Sequence, residues 1–318
     1  MRASLGLLCL LGACDGAPAA PAASARRPAA SSAPGPAAGS PARPPLGVYS
    51  EFLAYDAVEA TLPDLAARAA ALSLAVASAR IGDTALRSLL VAAEDAGVEV
   101  RIWLVLARED GYWPNEENLD RFASEVTRLL DWIDAEGLRV AAVVYDLEPS
   151  LAYSEELRAA FASGRLDAIE ALMRAHVDRP AFEAAREALS RHVRAVQARG
   201  VRAVAVTYPQ VVDDLGDGDP DLQDALDIPV DGVPFDEVAF MVYQTAFAEA
   251  QGDWIGPGLI RSYALDARGH FGERATIALG IVGTAAIFEH DGAPYASPAA
   301  LGEDVGAALG ADIARVEV

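Results

Sequence analysis

Asp146 and Glu148 stand two residues apart at the end of an apolar run that begins at Val140. In an extended strand residues i and i+2 share a face, so Ala142, Val144, Asp146 and Glu148 look one way while Val143, Tyr145 and Leu147 look the other. A run that is apolar on both faces reads as a parallel strand covered on both sides, and the acids emerge where it ends. Two carboxylates this close can carry acid chemistry, one of them keeping a proton for a leaving oxygen. Burial and the neighbouring Asp146 charge would raise the Glu148 carboxyl, which makes Glu148 the expected proton donor. The plain alternative is a pair of solvated loop acids.

Other chemistries find less support. His176, His192, His270 and His290 fall in helical or loop sequence, with no His-x-His on a strand and no His-Glu-x-x-His, so they read as surface or satisfied histidines and no metal is expected. No Gly-x-Ser-x-Gly turn offers a serine nucleophile. Asp213, Asp214, Asp217, Asp219 and Asp221 crowd one segment, but Leu222 and Ile228 stand where a calcium loop wants its glycine and its glutamate, so a solvated acidic loop is expected. The chain has no lysine, which excludes Schiff-base aldolases and P-loop nucleotide enzymes. A net charge of −22 argues against nucleic acid as a partner, and no cofactor is implied.

The elements that must hold these acids are legible as an alternation. Apolar, β-prone runs lie at 46–52, 72–79, 98–107, 140–147, 201–208, 237–243, 276–282 and 313–318, separated by helical sequence. Eight strands alternating with helices is the (β/α)8 pattern of a TIM-type barrel, in which chemistry sits at the C-terminal strand ends. The chain stops inside the eighth strand, so the last covering helix is expected to be missing. Around the mouth of such a barrel fall Glu51 after the first strand, Tyr208 after the fifth, and Tyr112, Trp113 and Trp254 in loops after the third and sixth. For Trp113 and Trp254, stacking on a sugar face and plain loop packing are both open. Trp103 and Trp132 sit in strand and helix patterns and read as core.

The N-terminus carries a basic residue, Arg2, an apolar stretch over 5–11 and small residues before Cys14, which reads as an export signal over 1–13. Leu11, Gly12, Ala13 and Cys14 resemble the lipobox of bacterial lipoproteins. That resemblance implies cleavage before Cys14, lipidation of its thiol and a place in the bacterial cell envelope, held to a membrane through the lipid. An ordinary signal peptide is the alternative. Residues 14–45 are mostly Ala, Pro, Ser and Gly, a composition that cannot bury a core and reads as a disordered tether to the domain at 46–318. Cys9 lies in the signal, so a processed chain has no disulfide framework.

Ala141–Glu148 resembles the tail of the D-x-x-D-x-D-x-E signature of glycoside hydrolase family 18, and Met241 to Gln244 is similar to that family's M-x-Y-D on strand six. The resemblance implies that Glu148 protonates the leaving oxygen while Asp146 and Tyr243 position the substrate's own acetamido group. It also implies an amino-sugar polysaccharide as substrate, with Gln244 among the binding groups. Ala141 and Val144 replace the first two signature aspartates, Gln244 replaces the strand-six acid, and the strand-three Ser-x-Gly-Gly is absent. Without an acid at Val144 to share its proton, Asp146 is expected to stay ionised. The alternative of another class is a barrel lipoprotein that binds glycan without turnover.

Overall fold

The computed structural model describes residues 46–218, 220–245, 255–280, 282 and 294–318. Cys14, Trp254 and Glu289, together with the signal and the tether, lie outside the described residues. Eight parallel strands close into a barrel in chain order. They are β1 Leu46–Ser50, β2 Ala71–Ala77, β3 Val100–Val105, β4 Ala142–Asp146, β5 Arg202–Thr207, β6 Glu237–Met241, β7 Ala275–Ala278 and β8 Val316–Glu317. The expected (β/α)8 barrel is therefore the fold. Most observed strands are shorter than their apolar runs, because apolar residues continue past the last ladder bond to line the loops. The seam closes where β8 pairs with β7 and with β1, setting Glu317 beside Gly47.

The helices wrap the barrel: α1 Tyr55–Glu59, α2 Leu62–Ala67, α3 Thr84–Asp95, α4 Leu119–Glu136, α5 Leu151–Ala162, α6 Leu166–His176, α7 Arg179–Ala198, α8 Gln210–Asp217, α9 Asp221–Ala225, α10 Pro257–Phe271 and α11 Pro298–Leu309. Their sequence logic is ordinary. Asp83 accepts from the Ala85 amide and caps α3. Along α4, Leu119, Phe122, Val126, Leu129, Leu130 and Ile133 recur at helical spacing and are buried, and Gly137 takes the left-handed turn that ends it. The acidic segment after β5 departs from the expected solvated loop. It carries α8 and α9, with Asp214 buried and accepting from the Leu222 amide and the Gln223 side chain. An aspartate that satisfies buried donors in this way holds a turn rather than facing water.

Strand alternation divides the interior into two apolar bodies. Outward residues such as Leu72, Ile102, Tyr145, Ala205 and Phe240 join the helices in the main core. Inward residues Ala75, Trp103, Val105, Val144, Val204, Ala239, Met241 and Ala278 fill the barrel itself. Trp103 is thus core as expected, though inside the barrel, and Trp132 packs part-buried against the main core.

Toward the N-terminal strand ends the filling turns ionic. Arg101 bonds Glu99 at 3.1 Å, Glu237 at 3.0 Å and Glu317 at 3.1 Å, while Arg202 bridges Glu99 and Glu237, each at 2.7 Å. Arg315 adds a further bond to Glu317. Gly47 is required here, because a Cβ on it would come within 1.9 Å of the Glu317 carboxylate. Arg101→Met should destabilise the fold by about 3–5 kcal/mol in urea unfolding, since it strands buried carboxylates. Arg101→Lys should recover only part of that loss, a point charge being unable to span three acids.

Candidate active site at the barrel mouth

At the opposite, C-terminal ends of the strands a second polar group collects, this time rich in acids and tyrosines. β4 delivers Asp146 inward and buried, and Glu148 follows on the same face, half-buried. Tyr208, just past β5, donates to Glu148 Oε2 at 2.6 Å. Glu51, just past β1, accepts from the Tyr112 hydroxyl at 2.9 Å. Tyr112 reaches it because the loop after β3 folds back: Gly111 and Tyr112 both take positive φ, and the Tyr112 carbonyl accepts from the Leu106 amide. Tyr243, past β6, packs half-buried against the inner apolar body, close to Gly280 of β7's end, where a Cβ would meet its ring at 2.8 Å.

The floor of this mouth is aromatic. Tyr49 and Trp103 meet edge to face with ring centroids 5.6 Å apart. Within the described residues, Tyr49 Oη, Trp103 Nε1 and Asp146 Oδ1 are buried and without a hydrogen-bond partner. Buried polar atoms are nearly always satisfied, so these three are available to the polar groups of a ligand, although unpaired atoms also occur at the ionic end of the barrel, on Glu317 and Arg315.

The electrostatics correct one expectation. Burial, reinforced by the Glu148 and Glu51 charges and a hydrogen bond with Glu148, pushes the Asp146 carboxyl well above the ordinary range, which favours its protonated form over the ionised one expected. The absence of an acid at Val144 does not offset desolvation. The Tyr112 and Tyr208 hydroxyls are likewise raised, mainly by burial and then by Glu51 and Glu148 respectively, and remain neutral donors.

Asp146, Glu148, Tyr208, Tyr243 and Glu51 are thus brought to one end of the barrel. Two further candidates are not. Gln244 follows Tyr243 on the opposite face, is fully buried, and donates to Asp304 of α11 at 2.7 Å. Gln244 lies past the end of β6, where the chain turns helical, and its side chain is taken up by Asp304. Trp113 is buried beneath the loop after β3, edge-on to Tyr112, with its carbonyl accepting from Asn115 and Asn118. Loop packing is the alternative realised there. Sequence reasoning overlooked Tyr49, which packs against the inner apolar body as strand alternation along β1 allows, and left Tyr112 without a role.

No protein-family model and no curated protein matches the chain. Among solved structures the chain is similar to a D-allulose 3-epimerase from Methylomonas sp., at 12% identity over 87% of this chain and 84% of that one, with a TM-score of 0.49. It is also similar to an active-site mutant of the Rhizomucor miehei β-1,3-glucanosyltransferase in complex with laminaritriose, at 11% identity over 87% of each chain, with a TM-score of 0.47.

The protonated state of Asp146 has a measurable consequence. Between the unfolded carboxyl pKa of about 3.9 and the raised folded value, the native state holds a proton that the unfolded chain releases, so stability falls as pH rises through that window. Asp146→Asn keeps a donor to Glu148 and removes the slope. In unfolding experiments the variant should match the parent near pH 4 and exceed it by a margin that grows as pH rises toward 7. A variant that is instead progressively weaker than the parent as pH rises would mean that Asp146 is charged.

Proposed function

We propose that this barrel is a glycoside hydrolase acting on an amino-sugar-containing polysaccharide, with Glu148 as the proton donor. The observation that carries the reading is the Asp146–Glu148 pair itself, a proton-holding acid bonded to a second carboxyl at a barrel mouth that also presents unpaired buried polar atoms. Glycosidic cleavage needs a proton on the leaving oxygen and stabilisation of an oxocarbenium-like carbon. In the substrate-assisted form the sugar's acetamido oxygen supplies the second need.

The proton resting on Asp146 fits that sequence. When the acetamide N–H reaches Asp146, the carboxylate form gains a donor, and the proton passes across the existing hydrogen bond to Glu148. Glu148 then gives it to the glycosidic oxygen as the bond to C1 breaks and the acetamide oxygen bonds to C1. Water later opens that ring and returns a proton to Glu148. Tyr243 orients the acetamide carbonyl, and Tyr208 holds Glu148 by its hydroxyl. Tyr49 and Trp103 offer aromatic surface and unpaired donors to the sugar. If the sugar has no acetamide, Glu51 is the remaining mouth carboxylate for the second role.

The second reading is a binding barrel without turnover. The bond from Tyr208 favours it, because it occupies an oxygen of the acid that must do the chemistry. Fluorophore release from aryl glycosides of N-acetylglucosamine and its oligomers separates the two. Turnover by the parent that falls about 10²–10⁴-fold in Glu148→Gln supports hydrolysis. Equal silence of both proteins, with both retaining one glycan from a panel, supports the binder.

We also propose that the barrel works in the bacterial cell envelope, held through a lipid on Cys14. Expressed in a lipoprotein-processing bacterium, the parent should incorporate labelled palmitate and partition with membranes, whereas Cys14→Ser should do neither. Palmitate-free parent protein in the soluble fraction would reject the anchor.

A further inference from the structure

Away from the mouth pair, three loops on the same C-terminal side of the barrel bring together a nitrogen ligand and two carboxylates. Glu117 lies between β3 and α4, His176 ends α6, and Asp227 follows α9. One ligand atom from each falls within 4.8 Å of the other two, and His176 Nδ1 stands 2.8 Å from Asp227 Oδ2. We infer that Glu117, His176 and Asp227 form a binding site for a divalent transition-metal ion of the Zn²⁺ or Mn²⁺ type, which cross-links three loops of the barrel rim.

The ligands are held in place by bonds that do not need the ion. The His176 ring lies flat on Tyr153, with centroids 3.5 Å apart and planes 4° from parallel. The Tyr153 hydroxyl in turn donates to the Ala225 carbonyl at 2.7 Å. Asp227 is buried, and its main chain reaches both sides of the cluster: its amide donates to Asp224, and its carbonyl accepts from the Glu116 amide at 3.0 Å, which sets Glu117 alongside. Such outer supports fix ring orientation and carboxylate direction around metals. Glu117 is exposed, leaving a side open for entry and for water to complete the coordination.

Charge and donor type select the ion class. Two carboxylates and an imidazole converge with no Lys or Arg among the three ligands, a donor set that a divalent cation suits. Imidazole nitrogen favours zinc, manganese or iron over magnesium and calcium, which prefer all-oxygen sites. The sequence conceals the site because its ligands come from three separate loops and match no short spacing.

The test uses the full chain without a histidine tag, stripped with chelator and titrated with ZnCl₂ and with MnCl₂. The expected result is one tight equivalent per chain, a rise in melting temperature on loading, and no displacement by excess Mg²⁺. Glu117→Gln, an exposed change that leaves folding intact, and His176→Ala should each weaken binding at least ten-fold and abolish the thermal shift, whereas His270→Ala should leave both unchanged. No uptake by the parent, or uptake that Glu117→Gln and His176→Ala leave untouched, overturns the site.

Discussion

The ionic floor of the barrel is the interaction on which the rest depends. Three guanidinium groups, those of Arg101, Arg202 and Arg315, meet three carboxylates, those of Glu99, Glu237 and Glu317, in a space closed to water at its centre. Each charge alone would be prohibitive to bury, and the set is tolerable only because positive and negative groups balance and the planar forks of arginine reach several oxygens at once. The residues come from strands β5 and β6, and from β3 and β8 each with the residue just before it, so the network registers strands on opposite sides of the barrel. It matters most at the seam, where β8 contributes only Val316 and Glu317 to the ladder. A two-residue strand has little hydrogen bonding of its own, and Glu317's hold on Arg101 and Arg315 fixes where it lies.

An apolar layer separates that floor from the mouth. Ala75, Trp103, Val144, Val204, Ala239 and Ala278 lie between the two polar ends, so floor arginines do not serve mouth acids. The two ends therefore solve the same problem differently. Below, burial of Glu99 is outweighed by Arg202, Arg101 and Arg315, which hold its carboxyl below the ordinary range, while burial keeps Glu317 above it even beside Arg315 and Arg101. Above, Asp146 faces Glu148 and Glu51, and only a proton relieves it. A site that stores a proton where charge balance could have been built with arginine is costly to stability and suited to acid chemistry.

Which parts of this were legible in the sequence follows from the range of the physics involved. Strand positions depend on local periodicity, and the eight runs were readable because strands covered on both faces are apolar throughout. Asp146 and Glu148 were readable for the same reason, as an interruption of that periodicity where β4 ends. Glu51 and Tyr208 followed from their places at strand ends. Gln244 was placed by a motif comparison that treats neighbours as one unit, whereas the structure turns helical after β6 and bonds Gln244 to Asp304. Trp113 was ambiguous because its direction is decided by the left-handed turn at Gly111 and Tyr112, which the residue types alone do not require. The upward shift of the Asp146 carboxyl was not legible, because it depends on how deeply the carboxyl is buried, on Glu148 and on Glu51, ninety-five residues earlier in the chain.

Long-range charge balance also explains why this chain can carry so many acids. Its 47 acidic residues exceed its 25 basic ones, all arginine, and surface acids cost little because water screens them. Buried acids are the difficulty, and each described cluster finds a separate answer. At the floor the answer is guanidinium groups that belong to the chain itself. At the mouth it is a proton, which is exchangeable and can be moved to a substrate. At the rim, Arg179 meets Asp224 and His176 meets Asp227, but Glu116 is still pushed up to about 7 by burial and by the surrounding carboxylates, Asp227 first. Positive charge there is short of the acids that face it, and the remainder must come from solution as protons or as a cation. The gradient from fixed to exchangeable counter-charge runs from the strand N-termini to their C-termini, and it separates the end of the barrel that holds the fold from the end equipped to act on a ligand.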